Sequence, residues 1–467
     1  MGKSLVIAEK PSVATDIARV LKAARDKSKD FFENDDYVIS SAVGHLLTII
    51  VPPDQDIKRG KWSFDKLPHL PPQFTLKPIA KSESRLKVLK RLMKRKDVDT
   101  LINACDAGRE GELIFRYIIQ HTKAKQPSKR LWLQSMTPAA IREGFTQLRD
   151  DDSMLPLAAA ATCRSEADWL VGINGTRVMT AFNSKGGGFF LTTVGRVQTP
   201  TLAVVVEREQ TIKDFISRDY WEVHATFQAG AGEYAGRWFD EGFKRDEDDT
   251  HKRAERIWDQ AKAGAIKTAC EGQSGTVTEE SKPSKQASPL LFDLTTLQRD
   301  ANSRFGFSAR NTLAIAQALY ERHKVCTYPR TDSKALPEDY PTTVRKTLEQ
   351  LAAGHYGQLA DKVLKEGWVV PSNKRIFNNA KISDHFAIIP TLQVPKNLKE
   401  QEQKVYDLIV KRFLAVFYPS AEFEVTTRIT RVQNEPFKTE GKVMTKPGWH
   451  EVYGKDQQGE MLTPVKT

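Results

Sequence analysis

The stretch DVDTLINACDAGREGELIFRYIIQ, residues 97–120, decides the fold of the N-terminal third of the chain. It begins with an apolar run that is typical of a buried strand, continues through an acidic loop, and ends in a pattern with helical spacing. Strands that alternate with helices in this way indicate an α/β fold with a parallel sheet. The acidic loop follows the carboxyl end of the strand, and ligand sites of parallel sheets lie at this edge.

Similar strand and helix patterns lie on both sides of this stretch. LVIA (5–8) is followed by EKPS and a helical pattern, and LWLQSMTPAAIREGFTQL (131–148) predicts a further strand and helix. KSESRLKVLKRLMKRK (81–96) predicts a basic amphipathic helix whose lysines face either solvent or DNA. The apolar face of that helix contains Leu86, Leu89, Leu92 and Met93. We therefore predict an α/β domain with a largely parallel sheet over residues 1–152.

Residues 153–467 alternate between helical and strand-rich segments. Apolar residues at helical spacing predict one helical domain over 153–216 and another over 285–418. Alternating runs such as YWEVHATFQA and EFEVTTRITRV predict one strand-rich domain, formed by 217–284 and 419–467. SKPSKQASP, which ends at Pro289, is typical of a hinge or linker.

The charge balance favours a polyanionic partner. The 467 residues carry 71 Lys and Arg against 59 Asp and Glu, a net charge of +12, which is typical of nucleic-acid binding, although a merely soluble basic protein is the alternative. The four cysteines form no CxxC pair, which excludes a zinc ribbon in this sequence and argues against a disulfide framework. We expect a protein of the reducing cytoplasm with no secretory signal, membrane span or ATP-binding P-loop.

VCTYPRTDS, residues 325–333, places a tyrosine and an arginine two residues apart after an amphipathic helix. Pro329 biases Tyr328 toward an extended conformation, and in an extended segment the side chains of Tyr328 and Arg330 point the same way. A hydroxyl beside a permanent positive charge is what nucleophilic attack on a phosphate requires. A turn with a half-buried tyrosine and a surface arginine is the alternative.

Charged side chains follow the strands predicted at LVIA and DVDTLINA. They are Glu9 and Lys10 after the first strand and Asp106, Glu110 and Glu112 after the second. Because the carboxyl ends of neighbouring parallel strands meet at one edge of a sheet, we expect these acids to converge. Carboxylate oxygens are the ligands that Mg²⁺ prefers, so the pattern predicts a magnesium site. For the last two acids, the alternative is a charge that complements the start of a helix.

Two further segments carry candidate binding residues. TVGRVQTPTL (193–202) sets Arg196, Gln198 and Thr199 at the start of a predicted helix, where backbone N–H groups bind phosphate. The alternative is a capped helix with ordinary surface polar groups. KISDHFAIIPT (381–391) places His385 before a short apolar run, and a structural histidine is the alternative here.

Five motifs in a fixed order resemble those of type IA DNA topoisomerases, and the bacterial topoisomerase III branch is the most similar. The motifs are AEKPS, DAGREGE, GRVQTPTL, TYPRTDS and SDHFAIIPT. PLLFDLTTLQRDANSRFGFSA and KPGWHEVYG are also similar to family segments, so the resemblance covers nearly all of the chain. It implies that the N-terminal α/β unit is a Toprim domain.

The resemblance implies a catalytic role at each matched position. Tyr328 is the expected nucleophile, which forms a 5′-phosphotyrosine, and Arg330 neutralises charge on the phosphate. Glu9 is expected to protonate the departing 3′ oxygen with Lys10 beside it, and His385 completes the expected catalytic set.

The resemblance also implies the ligands of the metal and of the DNA. Mg²⁺ is expected at Glu9, Asp106 and Glu110. The expected DNA contacts are Arg164, Arg196, Gln198, Asp332 and Ser333.

The activity implied by the resemblance is ATP-independent cleavage of one DNA strand, passage of another strand, and religation, which relaxes negative supercoils and decatenates DNA. The implied fold class is α/β and α+β multidomain: a Toprim domain, helical domains and a strand-rich arch in a toroidal architecture. We expect a cytoplasmic, nucleoid-associated monomer that acts on single-stranded or underwound DNA without membrane contact. A helicase or a single-strand-binding protein is an expected partner.

The chain departs from the family pattern at two places. Many members have a second aspartate where this chain has Gly108, so we expect weaker Mg²⁺ binding or a larger share for Glu110 or Glu9. Family chains also continue past KPGWHEVYG to a stretch resembling GTPATR, and no such stretch occurs before residue 467.

Two other functions stay open at the level of sequence. A single-stranded-DNA-binding clamp without full strand passage needs positive charge but not Tyr328, Arg330 or Glu9. Another Toprim enzyme, such as a primase or nuclease, shares the acidic cluster but does not need TYPRTDS. The tyrosine motif therefore favours the topoisomerase.

Overall fold

The chain folds into two compact units. The computed structural model describes residues 2–53, 55–454 and 459–460. The first unit contains Met1–Asp214 and two later segments, Leu336–Tyr340 and Asn378–Phe386. The second unit contains Phe215–Ala335, Pro341–Phe377 and Ala387–Thr467. The chain therefore contributes to the first unit twice more after residue 214.

The first unit contains nine strands and six α-helices among its described residues. Its strands are β1 (Lys3–Ala8), β2 (Ala24–Arg25), β3 (Phe32–Glu33), β4 (Tyr37–Ser41), β5 (Leu47–Ile50), β6 (Thr75–Pro78), β7 (Val98–Ala104), β8 (Ser128–Arg130) and β9 (Arg149–Asp150). Its helices are α1 (Pro11–Val20), α2 (Glu83–Met93), α3 (Arg109–Thr122), α4 (Pro138–Thr146), α5 (Leu155–Asn183) and α6 (Gln198–Lys213). Pro11 and Pro138 each open a helix, where a missing N–H removes no hydrogen bond.

A seven-stranded sheet in the order β2-β3-β4-β1-β7-β8-β9 forms the centre of the first unit. The middle strands β4, β1, β7 and β8 run parallel, and the short outer strands pair antiparallel. Side chains of β1 alternate between two cores, as expected for a sheet covered by helices on both faces. Leu5 and Ile7 belong to the cluster with α2 and α3, and Val6 and Ala8 belong to the cluster with α1 and α4. The predicted α/β fold with a largely parallel sheet is confirmed.

The helices α5 and α6 differ in the burial of their side chains. The 29-residue α5 is joined to α3 by a hydrogen bond of 3.1 Å from Tyr117 Oη to Ser165 Oγ. In contrast, no residue of α6 is buried, and Val204, Val205 and Val206 are exposed. Within the described part of the chain, no helix is both long and apolar enough to cross a membrane.

The second unit combines a sheet with a group of helices. Its strands are β10 (His224–Ala229), β11 (Gly232–Trp238), β12 (Thr276–Gln286), β13 (Ala421–Val432), β14 (Glu435–Lys446) and β15 (Gly459–Glu460). Its helices are α7 (Gln260–Cys270), α8 (Leu294–Phe305), α9 (Ala309–Glu321), α10 (Pro341–Ala352), α11 (Gly357–Lys365) and α12 (Glu400–Ala415). The antiparallel sheet runs β10-β11-β14-β13-β12, and β15 pairs with β14, so segments far apart in sequence share one sheet.

The prediction of a linker at SKPSKQASP is wrong for most of that segment. Its first six residues belong to β12, and Pro283 lies opposite Glu424 of β13. Proline is compatible with this strand because, among the described residues, β12 is at the edge of the sheet and pairs on one side only. Most of the proline and serine residues that predict a linker therefore belong to an edge strand.

Local signals define α9, the helix that precedes the tyrosine motif. Gly306 ends α8 in the left-handed conformation at φ 67°, which glycine adopts without steric cost. Two residues later, the Ser308 hydroxyl accepts a hydrogen bond of 3.1 Å from the Asn311 N–H and caps α9. The short FGFS connection thus fixes where α9 begins.

Truncation of Phe115 tests the core of the first unit. Phe115 is 1% exposed within the cluster formed by β1, β7, α2 and α3, so Phe115→Ala should lower the free energy of unfolding of this unit by about 3–5 kcal/mol. Urea denaturation followed by circular dichroism measures the change. Phe190→Ala is the control, because Phe190 is 59% exposed and should change stability by less than about 1 kcal/mol. Equal effects of the two variants would contradict this packing.

Candidate active site

The carboxyl ends of β1 and β7 bring together two charged loops. The strands are parallel neighbours, and their last residues, Ala8 and Ala104, pair in register. Glu9 therefore leaves the sheet beside the loop that carries Asp106. This is the convergence that the sequence predicts for the acids after the two strands.

Lys10 contacts the carboxylates of both Glu9 and Asp106, and His385 contacts that of Asp106. Lys10 Nζ is 2.7 Å from Asp106 Oδ2 and 3.3 Å from Glu9 Oε1. His385 Nε2 is 3.1 Å from the same Asp106 oxygen. All four side chains are mostly buried, with exposed fractions between 13% and 24%. The structure thus groups four of the predicted site residues. A purely structural role for His385 would not require its position beside the Asp106 carboxylate.

Burial and charge shift the two acids in opposite directions. Burial, followed by the negative charge of Asp106, raises the pKa of Glu9 above its usual value, and Lys10 opposes this shift. Burial also opposes ionisation of Asp106, but the hydrogen bond from His385 and the charge of Lys10 hold the pKa of Asp106 well below its usual value. The pair therefore contains one carboxyl group suited to donate a proton and one that stays ionised.

The other two acids of CDAGREGE do not join this group. Glu110 Oε2 is 3.3 Å from His45 Nε2 in a more exposed position. Glu112 is buried and accepts hydrogen bonds from Arg116 Nε at 2.8 Å and Asn103 Nδ2 at 3.0 Å. Among the described residues, no three His, Cys, Asp or Glu side chains are arranged to hold a metal ion together. Glu110 thus stays a predicted ligand, whereas Glu112 is a structural acid.

Arg130, which the sequence analysis missed, fixes the loop that carries Asp106. Its side chain is buried and donates to the carbonyl oxygens of Asn103 at 2.9 Å, Cys105 at 2.7 Å and Asp106 at 2.6 Å. Its Nε lies 3.5 Å from Glu112 Oε2. An arginine that ends a short strand carries no sequence signal of this role, because the contacts come from the fold.

The later segment that carries His385 also places Asp384 against Gly108. Gly108 precedes α3 in an extended conformation, with φ −166° and ψ −176°. A Cβ atom at this position would lie 2.5 Å from Asp384 Cγ and 2.8 Å from Asp384 Oδ2. The segment is held to the first unit by a hydrogen bond of 3.1 Å from Gln134 Nε2 to the Ile382 carbonyl oxygen. The sequence signal for this placement of Asp384 is its position next to His385 in SDHF.

The backbone of the tyrosine motif is anchored within the second unit. Cys326 forms an isolated antiparallel bridge with Pro390. Thr327 donates its N–H to the Ile389 carbonyl at 3.0 Å and its hydroxyl to the Ala387 carbonyl at 2.9 Å. The apolar run after His385 therefore holds the residues that precede Tyr328.

The side chains of Tyr328 and Arg330 both contact one face of α9. The Tyr328 ring meets the Tyr320 ring edge to face, with centroids 5.4 Å apart. With the Gln317 amide oriented so that its oxygen faces Arg330, this oxygen accepts from Nε at 3.2 Å and from Nη2 at 3.1 Å. Gln317 and Tyr320 are three residues apart, so they are neighbours on one helix face. The Tyr328 ring and the Arg330 guanidinium thus contact the same face of α9, which agrees with the two-residue spacing.

The predicted DNA contacts have different surroundings. Arg196 is exposed and forms an ion pair of 2.7 Å with Asp168, and Gln198 opens α6. Arg164 is half-buried on α5 and Asp332 is exposed. Ser333 is buried, and its hydroxyl accepts from the Ala335 N–H at 3.2 Å, which indicates a structural turn. The roles of these residues in DNA binding stay predictions.

Comparison with known proteins identifies the class to which this fold and site belong. A family model described as DNA topoisomerase matches residues 152–467, and a Toprim domain model matches residues 4–136. The chain therefore belongs to the DNA topoisomerase family, and its α/β unit is a Toprim domain, a metal-binding domain in topoisomerases.

Similar proteins agree with the predicted topoisomerase III branch. DNA topoisomerase 3 of Bacillus cereus is 42% identical, and that of Bacillus subtilis 40% identical, over 457 residues or 97% of this chain. The chain spans 60% of the length of these relatives. The structure of full-length topoisomerase I from Thermotoga maritima has a TM-score of 0.62 at 22% identity and covers 99% of this chain and 70% of its own. The comparison with a GTPATR-like stretch concerns the end of the sequence. Residues 461–467 at that end lie outside the described residues.

Replacement of the two carboxylates should change stability with opposite signs in metal-free buffer. A lowered pKa means that ionised Asp106 stabilises the fold above its usual pKa of 3.8, so Asp106→Asn should lower the melting temperature at pH 7. A raised pKa means that ionised Glu9 costs stability, so Glu9→Gln should raise the melting temperature at pH 8. This gain should vanish as the pH falls toward 4.5, the usual value for Glu9. Thermal unfolding in EDTA measures both, and shifts of the same sign at pH 8 would contradict the assignment.

Proposed function

We propose that this chain cleaves one strand of single-stranded or underwound DNA, holds the 5′ end as a phosphotyrosine on Tyr328, and religates the break without ATP. The observation that carries the proposal is that the Tyr328 ring and the Arg330 guanidinium contact neighbouring residues on one face of α9. A DNA-binding clamp does not need this pair, and other Toprim enzymes do not need a tyrosine there. Membership of the DNA topoisomerase family supports the same reaction.

Cleavage is an exchange of one phosphate ester for another. The Tyr328 Oη atom attacks the phosphorus, a bond forms between Oη and phosphorus, and the bond from phosphorus to the 3′ oxygen breaks. The tyrosine loses its proton and the departing 3′ oxygen gains one. A free tyrosine has a pKa near 10 and is a weak nucleophile at neutral pH, so nearby positive charge is required. Arg330 supplies that charge on the side of the nucleophile.

Glu9 is the proposed proton donor to the 3′ oxygen. Burial and the negative charge of Asp106 raise the pKa of Glu9, which increases its protonated fraction near neutral pH. Lys10 and His385 keep Asp106 ionised, and Lys10 is the proposed positive charge beside the phosphate. In religation the 3′ hydroxyl attacks the phosphotyrosine and Glu9 takes the proton back. Because the ester bond is conserved, the cycle needs no nucleotide.

The donor set at the ends of β1 and β7 fits Mg²⁺. Glu9 and Asp106 offer hard carboxylate oxygens, which are the ligands that this ion prefers. We propose that these two residues hold the ion, with Glu110 as a further ligand. When bound, Mg²⁺ supplies positive charge that positions the broken end. Lys10 contacts both carboxylates and offsets part of their charge.

DNA binding and strand passage are proposed for the whole protein. A net charge of +12 favours contact with the phosphate backbone. Arg164, Arg196, Gln198, Asp332 and Ser333 are the proposed contacts. Strand passage would relax negative supercoils and decatenate DNA. The proposed setting is the cytoplasmic nucleoid, as a monomer, with a helicase or single-strand-binding protein as partner.

Tyr328→Phe tests the cleavage reaction. End-labelled single-stranded DNA incubated with the wild-type chain and Mg²⁺ should give a protein-linked 5′ product on a denaturing gel. The Tyr328→Phe variant should give none, because it lacks the attacking oxygen, but it should bind the same DNA within about twofold in a filter assay, since one hydroxyl contributes little to backbone binding.

Tyr320→Phe is the matched control for this experiment. Tyr320 lies against Tyr328, so its variant changes the neighbouring ring but keeps the proposed nucleophile. An adduct that persists in Tyr328→Phe would contradict the proposal. Absence of an adduct in the wild type, with DNA still bound, would instead favour a single-stranded-DNA-binding clamp.

A further inference from the structure

The exposed phenylalanines of the first unit are concentrated in two segments, residues 58–66 and 182–191. Among the described residues of the whole chain, five phenylalanines are exposed, and four of them lie in these segments. They are Phe64, Phe182, Phe189 and Phe190. Apolar side chains that are grouped on a surface mark an interaction site, whereas single ones need no explanation. We call the two segments together the aromatic surface.

Ring contacts join the two segments of the aromatic surface. The centroids of the Trp62 and Phe189 rings are 5.9 Å apart. Lys185 Nζ, in the later segment, lies 4.7 Å from the centre of the Phe64 ring in the earlier one. The guanidinium carbon of Arg59 lies 5.1 Å from the centre of the Phe189 ring. Cations and aromatic rings are therefore interleaved on one surface.

The turn that presents Phe189 and Phe190 is fixed by its own hydrogen bonds. The Ser184 carbonyl oxygen accepts from the Gly187 N–H at 3.1 Å, and the Ser184 hydroxyl accepts from the Phe190 N–H at 3.1 Å. Gly187 and Gly188 have φ of 99° and 83°, which glycine adopts without steric cost. The backbone of both phenylalanines is thus ordered before a ligand binds, which lowers the entropic cost of binding.

An ion pair on α5 holds the chain just before residues 58–66. Arg177 is buried in α5, and its Nη2 is 2.5 Å from Asp56 Oδ1. The guanidinium carbon of Arg177 also lies 5.6 Å from the centre of the Trp62 ring, and the Trp62 ring N–H donates to the Ile57 carbonyl at 3.1 Å. The earlier segment is therefore anchored to the helix from which the later segment continues.

The aromatic surface is strongly basic. Asp65 is the single acid in the sequence of its two segments. The basic residues, all exposed, are Lys58, Arg59, Lys61, Lys66 and Lys185. Surfaces of this composition suit single-stranded nucleic acid, because the rings stack on bases and the cations contact phosphates. A second copy of this chain, with a net charge of +12, would be repelled by the same cations.

We propose that the aromatic surface binds single-stranded DNA, with bases stacked on Phe189 and Phe190 and phosphates held by Arg59 and Lys185. The inference deepens the proposed function, since it rests on single-stranded DNA as the substrate. It does not involve Tyr328, which belongs to the second unit, whereas the whole aromatic surface belongs to the first.

The chain leads directly from the aromatic surface to Arg196, a proposed DNA contact. The connection is held to α5 by a hydrogen bond of 3.0 Å from the Val194 N–H to Thr176 Oγ1. The six-residue step from Phe190 to Arg196 spans at most about 22 Å, a distance that about seven nucleotides or fewer cover. One short strand can therefore contact both places.

Binding of fluorescein-labelled oligothymidylate to the full chain tests the proposal. Fluorescence anisotropy in EDTA measures the dissociation constant. Phe190→Ala should raise this constant about 5-fold or more, the loss expected for one stacked base. Phe215→Ala is the matched control, because Phe190 and Phe215 are both 59% exposed and Phe215 belongs to the second unit. It should bind as the wild type does.

Other replacements of Phe190 separate stacking from a packing role. Phe190→Tyr keeps the ring and should bind oligothymidylate as the wild type does. Phe190→Leu is apolar but has no ring, so it should bind as weakly as Phe190→Ala. An oligonucleotide of abasic sites keeps the phosphates without the bases, so the wild type and Phe190→Ala should bind it equally. A distorted surface would instead weaken the binding of both oligonucleotides.

Arg59→Gln and Lys185→Gln test the phosphate contacts. Each variant should lower the slope of the logarithm of the binding constant against that of the salt concentration by about 0.7, the value for one phosphate contact on a single strand. Lys129→Gln is the control, because Lys129 pairs with Asp150 of the outer strand β9 and should leave the slope unchanged.

Each outcome decides whether the aromatic surface binds DNA. The proposal would be overturned by unchanged oligothymidylate affinity in Phe190→Ala, by an equal loss in Phe215→Ala, or by wild-type salt slopes in both charge variants. Self-association of the wild type that Phe190→Ala abolishes, with unchanged DNA affinity, would show that a second copy occupies the surface instead. A wild type whose DNA affinity depends on Phe190 but that forms no protein-linked 5′ product would refute the cleavage reaction alone.

Discussion

The parallel pairing of β1 with β7 is the constraint on which the active site depends. Because Ala8 and Ala104 end their strands in register, Glu9 and the Asp106 loop leave the sheet at the same level. The negative charge of Asp106 raises the pKa of Glu9, so the sheet imposes a repulsion that the rest of the site must offset. The sheet itself is stable because both of its faces are covered by the apolar faces of amphipathic helices.

The compensating charges come from three different parts of the chain. Lys10 follows the first strand directly, His385 lies on the late segment Asn378–Phe386, and Arg130 holds the Asp106 loop through its carbonyl oxygens. Lys10 supplies positive charge, His385 keeps Asp106 ionised, and Arg130 fixes the backbone of the loop. Charged groups held in this way are preorganised, and preorganisation is what the proposed cleavage reaction would require of them.

The sequence was sufficient to predict those features that depend on local patterns. The apolar runs at β1 and β7 and the helical spacing of α2 identify the Toprim sheet and its cover, and two-residue spacing predicts the common side of Tyr328 and Arg330. Local patterns also misled, because Pro283 is typical of a linker and instead lies in β12. Glu110 and Glu112 look equivalent in sequence, and only burial separates them.

Contacts between distant segments could not be predicted in the same way. Asp384 fills the space beside Gly108 because two separate stretches of backbone meet there. Arg130 reaches three carbonyl oxygens because β7 and β8 are adjacent. The contacts of Arg130 leave no motif in the sequence, and the only sequence signal for Asp384 is its adjacency to His385 in SDHF. The motifs identify the side chains, and packing in three dimensions determines which of them lie close together.

The edge strand β12 has a consequence for the behaviour of the protein in solution. An 11-residue strand with an open side is a template on which other chains can add and aggregate. Pro283 removes one backbone donor from this strand, and the exposed Lys282 and Lys285 place positive charge along it. Growth of the sheet onto a second molecule is thereby disfavoured. The same residues that resemble a linker protect the largest antiparallel sheet of the described chain from intermolecular pairing.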